Sequence, residues 1–167
     1  RCKKKTINKH PFEKRQMKIN SSIILSLLIT PIALACHHEE ASGDSPETFV
    51  KRYFQEFNSM KVDSNPESTF VFPAAIINDG KIRYIQNASE GVFDYEAIKA
   101  TGWSYSKISK VTVLSEENRS SLVKVDFTRN NERDEVLSNN SVFYALTKTK
   151  DGWRVVSAII PDGIVLD

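Results

Sequence analysis

Cysteine and histidine are scarce in this chain of 167 residues, which has two of the first and three of the second. They are Cys2, Cys36, His10, His37 and His38, so neither type occurs after residue 38. From residue 39 onward, the sequence excludes thiol catalysis, a serine–histidine triad and histidine-based metal sites. The two cysteines also provide neither a disulfide framework nor the spacing of a zinc site.

Positive charge is scarce in the larger part of the chain. Residues 1–35 hold eight Lys/Arg and one acidic residue, whereas residues 36–167 hold fifteen Lys/Arg and twenty Asp/Glu. The second part therefore has a net charge of −5, and the overall charge of +2 comes from the first part. An acidic domain lacks the basic surface that nucleic-acid binding requires, so we expect no nucleic-acid partner.

Long hydrophobic runs are missing as well, and the longest apolar segment covers residues 23–35. A membrane-spanning helix needs about 20 apolar residues, so this segment is too short for a lasting anchor. It follows Met17 and Lys18 and ends in Ala-Leu-Ala, a pattern typical of a cleaved secretory signal. Residues 1–35 are therefore predicted to be a leader, in which residues 1–16 are either an over-extended start or a long basic region.

Cys36 follows this leader directly and resembles the cysteine that bacterial lipoproteins carry at their cleavage site, although Ala33 and Leu34 depart from the usual pattern. Lipidation of Cys36 would anchor the protein to a membrane of the bacterial cell envelope. Ordinary cleavage at the same bond would leave a free thiol on a soluble periplasmic or secreted protein. Both alternatives predict export. Residues 36–45 are read as a polar tether rather than a metal site, because adjacent ligands without a folded frame rarely form a closed site.

The first half of the remaining sequence favours helices around one hairpin. Ser45-Pro46-Glu47 is typical of a helix start, and apolar residues then recur at helical spacing as far as Met60. A capping box at Asn87 and Glu90 predicts a second long helix that ends at Thr101. The other predicted elements are a short helix over 65–70 and strands over 72–77 and 81–86 that flank an Asn-Asp-Gly turn.

The second half predicts four long strands joined by short polar turns, over residues 104–115, 120–129, 136–150 and 153–160. Helices early and an antiparallel meander late indicate an α+β fold with the helices packed on one face of the sheet. No internal repeat and no low-complexity segment interrupts this order.

The order of elements resembles the nuclear transport factor 2-like fold, the cone shared by ketosteroid isomerase and SnoaL-like cyclases. The resemblance covers residues 46–161 and leaves 162–167 as a C-terminal tail. It rests on the stretches SPETFVKRYFQEFNS, YEAIKATGW, VDFTR and KTKDGWRVVS. It implies a curved antiparallel sheet that encloses a pocket. Members of the fold bind small apolar ligands, isomerise or cyclise them, or act as dimerisation modules, and the fold does not choose among these.

The pocket of such a cone is expected to be aromatic. On the strand over 120–129, alternation directs Phe127 inward, Arg129 toward the rim of the cone and Asp126 to the outer face. Arg129 is then either a rim salt bridge or an anchor for an anionic head group. The predicted lining is Tyr53, Phe57, Phe72, Tyr84, Trp103, Phe127, Arg129 and Tyr144.

Isomerase chemistry needs a carboxylate base in an apolar site. Asp126 is out of phase for that role, and Asp94 is expected on the solvated side of a helix. The sequence therefore predicts no catalytic residue, no metal and no cofactor. It favours an exported, non-catalytic domain that binds a small apolar or amphipathic ligand. The alternatives are an isomerase or cyclase that works without histidine, and an interaction module that pairs through its sheet.

The last two predicted strands are apolar on both faces, although helices can cover only one. On the first of these strands, Tyr144 lies on one face while Phe143 and Ala145 lie on the other. On the last strand, one face carries Val155 and Ile159, and the other carries Val156, Ala158 and Ile160. A sheet with one solvated face should alternate apolar and polar residues instead. A homodimer through the sheet is the expected cover, since one self-complementary patch then serves both subunits.

Overall fold

The computed structural model describes residues 44–164. The predicted leader, Cys36 and most of the polar tether lie outside these residues, as do residues 165–167. The described chain forms two α-helices, six strands and three single 3-10 turns (Val62–Ser64, Pro66–Ser68 and Ala88–Glu90). The helices and strands are α1 (Pro46–Asn58), β1 (Phe70–Asn78), β2 (Lys81–Ile85), α2 (Tyr95–Ala100), β3 (Tyr105–Glu116), β4 (Ser120–Asn130), β5 (Val136–Thr149) and β6 (Gly152–Ile160).

All six strands form one sheet in the order β2-β1-β6-β5-β4-β3. Every neighbouring pair is antiparallel except β1 and β6, which run parallel. Register shifts interrupt the ladders between β3 and β4, between β4 and β5 and between β5 and β6, and such bulges bend a sheet. The predicted α+β fold is confirmed: a curved sheet carries few helices.

The helix α1 begins where the sequence predicts. The Ser45 hydroxyl accepts a hydrogen bond from the Thr48 backbone N–H at 3.1 Å, and Pro46 occupies the first helical position. The buried side of the helix is formed by Phe49, Val50, Tyr53 and Phe54. The helix ends two residues before Met60, which adopts a positive φ of 56° and is 41% exposed. The prediction that Met60 extends the apolar face is therefore wrong.

The single helix predicted over residues 87–101 is also wrong. The 3-10 turn at its start stops at Gly91, which has a φ of 71°, and α2 begins four residues later. Between them, the carboxylate of Asp63 accepts the backbone N–H groups of Val92 (2.9 Å) and Phe93 (3.2 Å). Those N–H groups are thus unavailable to a continuous helix, because a residue from far earlier in the chain binds them.

The strand β6 contains a bulge that changes which residues face inward. Its register against β5 shifts between Ala145 and Leu146, which leaves Val156 as an extra residue. Simple alternation grouped Ile159 with Val155, but the phase reverses at the bulge and Ile159 is 40% exposed. The buried residues of this strand are Trp153, Val155, Ala158 and Ile160. Ala158 therefore belongs to the inner face and not to the outer one.

Candidate functional site

A cavity of about 40 Å³ lies between α1 and the inner face of the sheet. Its walls come from α1, β1, β3, β4, β5 and β6, together with Phe93, Ile98 and the last described residue, Ile164. Five of the predicted lining residues are brought together there: Tyr53, Phe57, Phe127, Arg129 and Tyr144.

The three other predicted residues do not line the cavity. Phe72 is half-buried and its ring stacks on Phe70, with the ring centroids 6.2 Å apart. Trp103 is buried behind the wall and contacts Phe57 at 5.3 Å between ring centroids. Tyr84 is 62% exposed on the edge strand β2, where no helix covers it. Aromatic character alone did not locate these residues relative to the cavity: Tyr84 lies on the outer face of the sheet, and Trp103 lies outside the strands.

Several lining residues were missed by the sequence analysis. Phe54 follows Tyr53 on the same buried side of α1, so its helical phase was available as a signal. Phe93 offers no such signal, since the contacts of residues 91–93 with distant side chains place it. Arg83 also binds this segment, because its guanidinium donates to the carbonyl oxygens of residues 91 and 92, at 3.0 Å in each case.

The aromatic side chains of the lining are closely packed, mostly in edge-to-face geometry. They are called the aromatic wall below and comprise Tyr53, Phe54, Phe57, Phe93, Phe127 and Tyr144. The rings of Tyr53 and Tyr144 meet at 5.5 Å between centroids and 88° between planes. Phe54 contacts Phe127 at 5.3 Å in a similar arrangement. Such pairs add about 0.5–1.5 kcal/mol each to the free energy of burial, so these contacts stabilise the wall in this arrangement.

Arg129 is the charged residue of this lining. It is only 8% exposed, and one guanidinium nitrogen donates to the Thr101 hydroxyl at 2.9 Å. Within residues 44–164, no carboxylate oxygen lies within 4.0 Å of its nitrogens. Burial lowers the pKa of this arginine from its ordinary value. The residue was expected at the rim of the cone, but it is a buried cation without an ion-pair partner in the described part of the chain.

Ser106 supplies a second polar group, and it pairs with Arg129 across β3 and β4. The side chain of Asn58 binds the backbone of this residue twice: its nitrogen donates to the Ser106 carbonyl, and its oxygen accepts the Ser106 N–H, both at 2.8 Å. Its hydroxyl oxygen accepts from the indole N–H of Trp103 at 3.0 Å. Because that bond uses the oxygen as an acceptor, the hydroxyl proton is left to donate to a group in the cavity.

Tyrosine hydroxyls complete the polar inventory of the aromatic wall. Burial, followed by the neighbouring hydroxyl of Tyr144, raises the pKa of Tyr53 well above its ordinary value. Burial likewise raises the pKa of Tyr144 and of Tyr95. The Tyr95 hydroxyl is buried and has no hydrogen-bond partner among the described residues. At neutral pH these groups are donors and not bases.

The carboxylates that could be considered as catalytic bases have other partners. Asp126 lies on the outer face as expected, where Lys124 (2.8 Å) and Ser141 (2.6 Å) bind it and lower its pKa in that order of importance. Asp94 is an exposed N-cap that accepts from the first N–H groups of α2. The carboxylate of Asp63 accepts hydrogen bonds from the backbone N–H groups of Val92 and Phe93. Among the described residues, the cavity lining therefore offers a cation and hydrogen-bond donors but no carboxylate base.

No group of three or more Cys, His, Asp or Glu side chains within 44–164 is arranged to hold a metal ion. Neither helix of the described part has the length and apolar character needed to cross a membrane.

The chain belongs to the family described as NTF2-like protein (DUF6841), whose model matches residues 43–162. The resemblance to the nuclear transport factor 2-like fold is thereby confirmed. Among curated proteins, none matches the sequence.

Solved structures support the fold at low sequence identity. A protein of unknown function from Mycobacterium tuberculosis is 13% identical with a TM-score of 0.53, over 68% of this chain and 71% of that one. A ketosteroid isomerase candidate from Shewanella frigidimarina is 13% identical with a TM-score of 0.51, over 70% and 95%. An NTF2-like protein with a cystatin-like fold from Novosphingobium aromaticivorans is 17% identical with a TM-score of 0.51, over 67% and 75%.

Proposed function

We propose that this domain binds a small amphipathic anion, with the anionic group on Arg129 and the apolar part against the aromatic wall. The observation that carries the proposal is Arg129, a residue that is only 8% exposed and whose guanidinium has no carboxylate partner among residues 44–164. A buried charge without a partner is unfavourable, and a ligand carboxylate would supply the missing one. Ser106 supports the proposal, because it lines the same cavity, pairs with Arg129 on the neighbouring strand and carries a hydroxyl that can donate to an anion.

The size of the cavity agrees with a head group of this kind. A site needs roughly 10–15 Å³ to hold one water molecule, so about 40 Å³ accommodates about three non-hydrogen atoms. A carboxylate group has that number. A longer apolar chain does not fit in the described conformation, and its entry would require part of the wall to move.

An isomerase or cyclase is less well supported by the same geometry. That chemistry needs a carboxylate base beside the substrate, as well as a donor for the enolate oxygen. Tyr53 and Tyr144 are suitable donors, but the described lining contains no carboxylate. The carboxylate of Asp63 is occupied by two backbone N–H groups. Binding without reaction is therefore the function we favour.

Calorimetric titration with acetate and octanoate tests the proposal, with octanamide as the neutral analogue. We expect octanoate to bind and octanamide not to bind. Arg129→Met should abolish binding, because truncating one partner of a buried charge pair costs about 2–5 kcal/mol of affinity. The matched control is Arg119→Met, which removes the same charge from an exposed turn. Equal binding of the amide, or unchanged affinity in Arg129→Met, would contradict the proposal.

The protein's location is a separate proposal that rests on the leader pattern of residues 17–35. We propose export to a bacterial cell envelope, with cleavage before Cys36 and lipidation of that cysteine. Intact-mass measurement of the protein from an envelope fraction should show loss of residues 1–35 and an added acyl mass. An unmodified Cys36 after cleavage would support the soluble alternative, and an uncleaved chain in the cytosol would exclude export.

The outer face of the sheet favours a further role in pairing. Two rows of residues cross neighbouring strands there. The first runs Ile82, Ile77, Ile159 and Phe143, and the second runs Tyr84, Ala75, Ser157, Ala145 and Leu122. Ile82, Tyr84 and Ile159 are at least 40% exposed. Contiguous apolar patches of this kind mark interaction sites. We propose that a second copy of the chain covers these rows.

Charge placed in the first row should separate such a dimer. Ile159→Glu is the appropriate variant, since Ala158 lines the cavity and its replacement would damage the core. Leu137→Glu is the control, because Leu137 is 44% exposed near the start of β5 and lies outside both rows. Light scattering at micromolar concentration should give twice the monomer mass for the wild type and the control, and the monomer mass for Ile159→Glu. A monomeric wild type would refute the dimer.

A further inference from the structure

The segment that follows the last strand, Pro161–Ile164, closes one side of the cavity. Ile164 is half-buried, lines the cavity and packs against the hydrophobic core. It belongs to no helix or strand, whereas most of the wall is built on α1 and the sheet. The segment, called the tail plug below, is therefore the part of the wall with the least structural support.

Within residues 44–164, the side chain of Asn78 forms hydrogen bonds that hold the tail plug in place. The Asn78 side-chain oxygen accepts the backbone N–H of Ile164 at 2.9 Å, and its side-chain nitrogen donates to the Ile164 carbonyl at 2.6 Å. The two residues are 86 positions apart in the chain. Asn78 does not line the cavity. Changing it would release the plug without altering the surface that a ligand contacts.

The turn that leads into the plug depends on glycine. Gly163 has a φ of 65°, and a Cβ atom placed on it would lie 2.9 Å from the Cβ of Asp79. Its N–H donates to the Ile160 carbonyl at 3.4 Å, a long and weak bond. The next residues back, Pro161 and Asp162, are exposed. The chain therefore passes close to the β1–β2 turn, and Asn78 and Asp79 provide the contacts that the described residues show there.

We infer that the tail plug is a built-in competitor of the ligand, and that a carboxylate with a long apolar chain binds by displacing Ile164. This inference rests on the proposed function. It explains how a ligand with more than a few non-hydrogen atoms can bind, although the cavity has a volume of only about 40 Å³. An anion small enough for the cavity leaves the plug in place. A longer one occupies the space that Ile164 fills.

Such competition lowers the apparent affinity for long ligands by the fraction of molecules in which the plug is open. If the closed form outweighs the open form by about ten to one, release of the plug should tighten octanoate binding about tenfold. Acetate fits beside the closed plug, so its affinity should stay within about twofold of the wild type.

The experiment compares octanoate and acetate binding by calorimetry in Asn78→Ala and Ile164→Ala. Asn139→Ala is the matched control, because Asn139 is an exposed asparagine on β5. Both plug variants should bind octanoate about tenfold more tightly. Asn78→Ala, whose site lies outside the cavity lining, should bind acetate as before, and the control should match the wild type. Thermal denaturation of each variant verifies that it is folded. Amide hydrogen exchange at Ile164 in the wild-type protein provides a second readout, and octanoate but not acetate should accelerate it.

The outcomes separate the two proposals. If octanoate binds in an Arg129-dependent way but with equal affinity in all four proteins, the plug is overturned and the proposed function stands. Continued protection of the Ile164 amide in the octanoate complex would also overturn the plug. If neither anion binds to any of the variants, the proposed function fails, and the plug fails with it.

Discussion

Replacing Arg129 with methionine removes a buried guanidinium and keeps an unbranched side chain in its place. Arg129 is 8% exposed as a residue, and its guanidinium makes one hydrogen bond, to Thr101, within the described residues. A hydrogen bond to a charged group contributes about 1.5–3 kcal/mol. Burial of a charge that no counter-charge compensates costs several kcal/mol, and apolar replacement of the guanidinium removes that cost. The second effect should be the larger one.

We therefore expect Arg129→Met to raise the free energy of unfolding by about 1 kcal/mol in the absence of ligand. For a domain of this size, that corresponds to an increase of about 4 °C in Tm. A ligand that binds only the folded state reverses the order. At a free concentration of 100 times its Kd, octanoate should stabilise the wild type by about 2.7 kcal/mol and leave the variant unchanged.

The assay is urea denaturation followed by circular dichroism, with and without octanoate. Arg129→Lys is the control, since it keeps a charge in the cavity and should not gain stability without ligand. A fall of 1 kcal/mol or more in Arg129→Met without ligand would refute the reasoning, because Arg129 would then have a structural partner. Equal stabilisation of both proteins by octanoate would refute the assignment of Arg129 as the anion site.

The remaining predictions concern the framework of the site. Asp63→Asn should lower the free energy of unfolding by about 1–3 kcal/mol in urea denaturation, because it weakens the carboxylate's bonds to two backbone N–H groups; Glu67→Gln, at an exposed position, should have little effect. Ser45→Ala should lower it by about 1 kcal/mol through loss of the α1 cap, and an unchanged value would show that the cap is solvated. A raised folded pKa favours the protonated form, so the stability from buried tyrosines is complete below the unfolded pKa of about 10 and is lost as pH rises above it. Spectrophotometric titration should show the hydroxyls of Tyr53, Tyr95 and Tyr144 ionising only as the protein unfolds. Their ionisation in the folded protein would contradict the assigned burial.

Local patterns in the sequence were sufficient for the features that depend on neighbours along the chain. The Ser45-Pro46 cap, the Asn78-Asp79-Gly80 turn between β1 and β2, and the inward face of β4 are all where the pattern predicts them. Each follows from the period of a helix or strand or from the conformational preference of a turn residue. The aromatic face of α1 is likewise encoded at helical spacing, so three of its rings reach the cavity.

Contacts between distant residues decided the remaining features, which no local pattern encodes. Asp63 interrupts the predicted second helix from 29 and 30 positions away. The bulge at Val156 reverses the phase of β6 and moves Ala158 into the cavity wall.

By itself, the sequence determined that the chain folds as an α+β cone with an aromatic interior and that no cysteine or histidine follows residue 38. Only the tertiary structure decided that Arg129 is a buried cation instead of a rim charge, and that Ile164 closes the cavity through Asn78. The physical reason is that periodicity specifies which way a side chain points. Burial and pairing depend on what the rest of the chain places opposite it.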